Sequence, residues 1–165
     1  MVATVQVGEK NSVGGTFTDK TSGTIRFKSV DEAVVDTTNP ITIPSSGTAH
    51  SFEKWTRLKI TAGPDNVITN LKFYTDGANG FGADVRMYAR NRTAFAEPGN
   101  PDSAGGFVDA FNYTANGALS ISDGTDEFSA AAEIGEHAVL LLEVSSGASQ
   151  GTLTAETVTY SYDET

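Results

Sequence analysis

The sequence contains no cysteine. That excludes disulfides and thiolate metal sites, and leaves packing and hydrogen bonding to hold the fold. No apolar run approaches the roughly 20 residues that a membrane helix needs, and no window sustains a helical period. The opening Met-Val-Ala-Thr-Val-Gln-Val has no basic region and no long apolar segment. No secretory signal is therefore expected, and the Asn-x-Thr triplets at Asn91 and Asn112 read as chance. Positive charge runs out early: none of the 11 Lys and Arg residues lies beyond Arg92. Up to that point nine acids accompany them, a balance of +2, and beyond it stand 12 acids and no base. The chain as a whole carries −10, which disfavours a nucleic-acid surface because acidic side chains repel phosphate.

What is present is a β texture. Seventeen glycines, with Thr, Ser, Asn and Asp, separate short apolar runs over 165 residues. This suits one domain, 1–165, built as an antiparallel β-sandwich of jelly-roll-like or Ig-like kind. The most legible stretch is Phe52–Arg92. Thr56-Leu58-Ile60, Leu71-Phe73 and Val85-Met87-Ala89 recur with a period of two, which assigns them to one face of a sheet. Pro64-Asp65-Asn66 supplies turn chemistry, and the three runs are expected to form an antiparallel meander.

Before this stretch, Ala3-Val5-Val7 and the polar residues to 22 read as an edge strand with a loop, or as an N-terminal arm reaching a neighbour. Thr24–Val30 alternates as a strand, and Ile41–Ile43 between prolines suits a sheet edge. After it, residues 93–137 form a long irregular excursion carrying Phe95, Phe107, Phe111 and Tyr113, and such loops are commonly functional or in contact with something. Within it Asn116-Gly117 suits a hairpin turn, and 125–134 reads as one short helix with Thr125 as N-cap. Ala138–Val144 has almost no polar interruption and is expected to be a central strand. The last run, Thr152–Tyr162, changes phase, so a bulge is expected near Glu156.

Little in the sequence points to catalysis. His50 and His137 belong to no triad or metalloprotease motif and read as surface histidines. Asp76, Asn79 and Asp84, and likewise Asp123, Asp126 and Glu127, are hard oxygen ligands of the type calcium prefers. Neither set has EF-hand spacing, and ordinary turn formation explains both, so no cofactor is expected. Arg57, Lys59, Lys72, Arg86 and Arg90 have the phase opposite to the core residues and could form a basic band on one sheet face. Trp55 is out of phase with Leu58, so either a bulge re-aims it or it lies on the outer face. Together with Lys54, Phe107, Phe111 and Tyr113, these residues are the candidate partner contacts.

Lys54-Trp-Thr-Arg-Leu-Lys-Ile-Thr-Ala-Gly63, Leu71-Lys-Phe-Tyr-Thr-Asp-Gly77 and Gly82-Ala-Asp-Val-Arg-Met-Tyr-Ala-Arg90 carry a resemblance. About a quarter of the chain, Lys54–Arg90, resembles the central region of small virion structural proteins of tailed bacteriophages and prophages. The resemblance implies a non-enzymatic protein of the capsid decoration (cement) type, made in the bacterial cytoplasm and bound outside the head. The partner would be the major capsid protein or another virion protein, with a homo-oligomer, a trimer by preference, on the particle and neither membrane nor nucleic acid involved. A tail or adaptor component of the same virion is one alternative. A carbohydrate-binding module with Trp55 and the loop aromatics as its platform is another.

Overall fold

A computed structural model describes residues 2–63, 67–124 and 127–165. It is an all-β protein of two antiparallel sheets. Ten strands follow in order among the described residues: β1 (Thr4–Asn11), β2 (Thr16–Asp19), β3 (Thr48–His50), β4 (Lys54–Ala62), β5 (Ile68–Thr75), β6 (Val85–Arg92), β7 (Val108–Asp109), β8 (Leu119–Ser120), β9 (Glu133–Ser145) and β10 (Val158–Glu164). The large sheet has the order β2-β1-β4-β9-β6-β7, with β3 also pairing β9, and the small sheet has the order β10-β5-β8.

The organising element is β9. Val139, Leu140, Leu141 and Leu142 are all buried, as the uninterrupted apolar run foretold for a strand covered on both faces. Its 13 residues outreach their neighbours. β4 pairs with the stretch 133–140 and β3 with 143–145 along one edge, while β6 takes the other edge from Val85 to Arg92.

This arrangement corrects the expected meander. β4 and β6 are not neighbours, since β9 lies between them, and β5 belongs to the other sheet. A run with no polar interruption needs cover on both faces and pairing on both edges, and it takes the central place. Residues 64–66, on which the turn was read, lie outside the described residues.

Between the sheets Leu58, Ile60, Met87, Ala89, Leu140 and Leu142 face Leu71 and Phe73 across one core. Tyr160 packs edge-to-face on Phe73 with ring centroids 5.4 Å apart, a favoured aromatic geometry. The Tyr160 hydroxyl also reaches Thr56 Oγ1 at 2.6 Å, which joins β10 of one sheet to β4 of the other.

Other local expectations change. The expected helix over 125–134 is absent from its described part: 127–132 is irregular and Glu133 already begins β9. The two residues on which its start was read, Thr125 and Asp126, are outside the described residues. Thr24–Val30, expected as a strand, joins no ladder among the described residues, and Ile41–Ile43 likewise stays irregular. The run 111–114 is not a strand either. A single 3-10 turn covers Ala110–Asn112, and β8 pairs with β5 instead.

The bulge expected near Glu156 lies elsewhere. Thr152–Thr157 is unpaired, and the register shift falls between Ser161 and Asp163. Residues 4–19 form a β1–β2 hairpin, with β1 paired along β4.

Candidate functional site

Trp55 keeps the outer phase of β4 that it shares with Arg57 and Lys59. The extra residues of the local register shift belong to β9, where Thr56 pairs Ala138 but Leu58 pairs Ile134. Gly135 accommodates this with φ +65°, and a Cβ there would sit 2.4 Å from the Ile121 carbonyl oxygen, so only glycine fits. On the outer face Trp55 is nonetheless only 2% exposed, because the 93–107 segment folds over it. Phe95 meets Trp55 edge-on at 5.4 Å, and His137 approaches the same ring at 5.4 Å.

Glu53 fastens that cover. Its Oε2 accepts from Trp55 Nε1 at 2.9 Å and its Oε1 from Arg90 at 2.6 Å, while its backbone N–H donates to Gly99 O at 2.8 Å. The Arg90 guanidinium then lies 4.0 Å from the Phe107 ring centroid, a close cation–π contact.

Both histidines depart from the surface placement expected of them. His137 is fully buried; its Nδ1 lies 3.1 Å from the Arg92 carbonyl and its Nε2 has no partner among the described residues. Nδ1 must donate to a carbonyl, so Nε2 is the bare nitrogen. Burial pushes its pKa below the ordinary 6.5, with Arg57 and Lys10 nearby acting in the same sense. His50 is buried against Glu143, 3.0 Å from its Oε2, and Tyr88 donates to the other oxygen at 3.2 Å. Neither could be read from the sequence as buried, because both precede or follow charged and polar neighbours.

The ten candidate contact residues therefore separate. Lys54, Trp55 and Phe111 are buried, so their side chains offer nothing to a partner; Phe111 packs on Phe81 inside the core. Tyr113 packs against that core as well, and burial raises its hydroxyl pKa. Arg90 and Phe107 stack on each other. Lys59 covers the Phe17 ring at 5.1 Å, and Arg57 pairs with Glu133 at 3.6 Å. Arg86 is exposed on β6, and Lys72 lies on the small sheet. The basic residues do not make one band, since β9 separates Arg57 and Lys59 from Arg86 and Arg90, and Lys72 is in a different sheet.

The calcium candidates Asp76, Asn79 and Asp84 are occupied by turns and by a strand end. Asp76 accepts from Ala78 N–H, Asn79 bonds Phe81, Gly82 and Val85 backbone groups, and Asp84 accepts from Ser145 Oγ. Among the described residues no three acidic or histidine side chains gather as a metal would require. Asp126 is outside the described residues.

Sequence reasoning missed a second assembly on the inner face of the same end of β4, under residues 20–47. Glu9 and Asn11 of β1 and Lys54 of β4 all point inward and are buried. Lys54 Nζ donates to Glu9 Oε1 at 2.8 Å and to the Glu32 carbonyl at 2.7 Å. Lys20 Nζ donates to the Ala33 carbonyl at 2.6 Å. Asn11 donates to Glu9 at 3.2 Å and to Asp31 at 2.6 Å.

Lys28, 1% exposed, binds both Glu32 and Asp36. Burial alone would lower its ammonium, and the Asp36 and Glu32 carboxylates more than offset this, leaving it raised. The Lys28 hydrogen bond, then Thr38, holds Asp36 down to about 2. The available signal was phase: Glu9 falls in step with Val5 and Val7, and Lys54 with Thr56 and Leu58, so charge sits where apolar side chains belong.

Two residues stand above this braced network. Val34 and Val35 are 56% and 49% exposed, while the carbonyls of Glu32 and Ala33 just before them are gripped from below by buried lysines. A cleft of about 950 Å³ opens beside the same excursion, between residues 21–28, 37–43 and 148–158. Met87, Leu140 and Leu142 line its floor and are themselves buried.

No protein-family model, curated protein or solved structure matches this chain.

Proposed function

We propose that the chain is a non-enzymatic virion structural protein, a capsid decoration (cement) protein that binds the outer surface of a tailed-phage head. The observation that carries this reading is the Val34–Val35 pair. Two adjacent apolar side chains project from an excursion that is braced by Lys20, Lys28 and Lys54 and cannot readily fold back. An apolar knob on a preorganised base loses little entropy on docking, which favours a protein partner. The partner of this reading is the major capsid protein, or another virion protein if the chain sits on a tail or adaptor. The site lies on the virion surface and involves no membrane, nucleic acid or cofactor.

The carbohydrate-binding alternative loses its main support, because Trp55 lies beneath Phe95 and cannot stack on a sugar. A homo-oligomer, a trimer by preference, suits a component arranged around a symmetry axis, and light scattering tests that part directly. The docking itself is tested by sedimenting the protein with undecorated heads of the same phage. Co-sedimentation that is lost in Val34→Asp/Val35→Asp, with the fold intact, is the expected outcome.

A further inference from the structure

The buried network holds three groups whose juxtaposition is chemically specific: an amine, a carboxamide and a carboxylate bridging them. Lys54 Nζ and Asn11 Nδ2 donate to the same oxygen, Glu9 Oε1, at 2.8 and 3.2 Å. The β1–β4 register pairs Glu9 with Thr56 and Lys10 with Trp55. One step past the end of that ladder, Asn11 and Lys54 share the inner-face phase of Glu9 and Thr56. Lys54 and Glu9 are fully buried and Asn11 is 6% exposed. Two acceptors, Glu9 Oε2 and Asn11 Oδ1, have no hydrogen-bond partner among the described residues, and such orphans in a buried network call for an explanation.

We infer that Lys54 and Asn11 react within the folded chain to form an isopeptide bond, with Glu9 as the acid–base group. Glu9 takes a proton from Lys54 Nζ, and the neutral amine attacks Asn11 Cγ. A second amine proton passes through Glu9 to Nδ2, the Cγ–Nδ2 bond breaks, and ammonia leaves. The product is a secondary amide, Lys54 Nζ to Asn11 Cγ, formed by acyl transfer with no change of oxidation state and no co-reactant.

Several features of the site favour the step. The amine and amide are held together by one carboxylate, which replaces a bimolecular encounter by an intramolecular one. Proton transfer runs along hydrogen bonds already present. Burial excludes water that would otherwise compete for the acyl carbon. Lys20 Nζ, 3.8 Å from Glu9 Oε2, and Asp31, which accepts from Asn11 Nδ2, are positioning residues. In a chain without cysteine, the bond would tie β1 covalently to β4.

Intact-mass spectrometry of the purified full chain tests this. The expected mass is that of the sequence less one ammonia, with a branched tryptic peptide joining residues 11–20 to residues 29–57. Glu9→Gln and Lys54→Met are expected at the full masses of their own sequences. A folded wild-type chain at full mass overturns the inference. So does an ammonia loss confined to Asn11 without a branch, which is cyclisation to a succinimide. A branch that survives in Glu9→Gln overturns the assigned role of Glu9. The wild-type result decides the bond even where a variant fails to fold.

Discussion

Tyr160 and Thr56 form a hydrogen bond between the two sheets, with their oxygens 2.6 Å apart. Thr56 Oγ1 also donates to the Ala138 carbonyl at 2.6 Å, so the tyrosine hydroxyl is the donor to Thr56. The bond fixes the small sheet over the β4–β9 pair, which already shares the bulge at Gly135. Tyr160→Phe removes the donor while keeping the ring on Phe73. A loss of about 1 kcal/mol is expected in denaturant unfolding, the usual net value of one such bond.

Burial also raises the Tyr160 pKa well above 10.0. A group that binds its proton more tightly when folded stabilises the fold below its unfolded pKa. The contribution of the tyrosine is therefore complete below about pH 10 and lost as the pH rises further; a Tyr160→Phe variant should lack that alkaline component.

Glu53 unites Trp55, Arg90 and the 93–107 segment. Glu53→Ala leaves the indole N–H and the guanidinium without their acceptor, and about 2–3 kcal/mol of stability should be lost, given that Arg90 is part-exposed. Trp55 is the one tryptophan of the chain, so its emission reports on the cover alone. A red shift in Glu53→Ala at full secondary structure is expected; an unshifted spectrum would mean that Phe95 holds the cover without Glu53.

His137 makes the same cover sensitive to acid. Its folded pKa is depressed by burial, so between that value and 6.5 the unfolded chain binds more protons than the folded one. Stability then falls as pH drops below about 6.5. The groups facing the ring are Lys10 of β1, Arg57 of β4, Glu133 of β9 and Arg92 of β6, and the cations oppose protonation. His137→Gln should be less stable at neutral pH and should lose the component of the pH dependence between about 6.5 and the folded value. Equilibrium unfolding at a series of pH values checks this.

How much of this was legible from the residues varies with the physics involved. β9 was readable because an uninterrupted apolar run of that length has one stable place, the centre. The strand character of β4, β5 and β6 was readable from period two, yet their pairing was not. Period fixes which side chains share a face, whereas partners are fixed by which strand needs both edges filled. The 125–134 helix reading failed because an N-cap and early acids are weak local preferences, and Glu133 and Ile134 instead extend β9 alongside β4.

Of the partner residues, Trp55, Arg57, Lys59, Lys72, Arg86 and Arg90 were chosen from the outer phase on the premise that outer means exposed. Phe95, covering Trp55, breaks that premise. The Glu9–Asn11–Lys54 group was visible as charge in an apolar phase, but only the register brings the three together.

Asp36 couples the braced excursion to strong acid. Its carboxyl is held down to about 2, against 3.8 ordinarily, so its support is complete above the unfolded value and lost as the pH falls toward 2. Hydrogen exchange at residues 32–36 should accelerate over that interval. Asp36→Asn should show the faster exchange already at neutral pH.

The proposed docking of this chain on a phage head rests on the Val34–Val35 knob. Co-sedimentation of the purified protein with undecorated heads of the same phage, over a range of salt, tests it most directly. Saturable binding that persists at high salt, and that falls at least tenfold in Val34→Asp/Val35→Asp, is the predicted result. The absence of co-sedimentation at every salt concentration, or binding unchanged in that folded double variant, would contradict it.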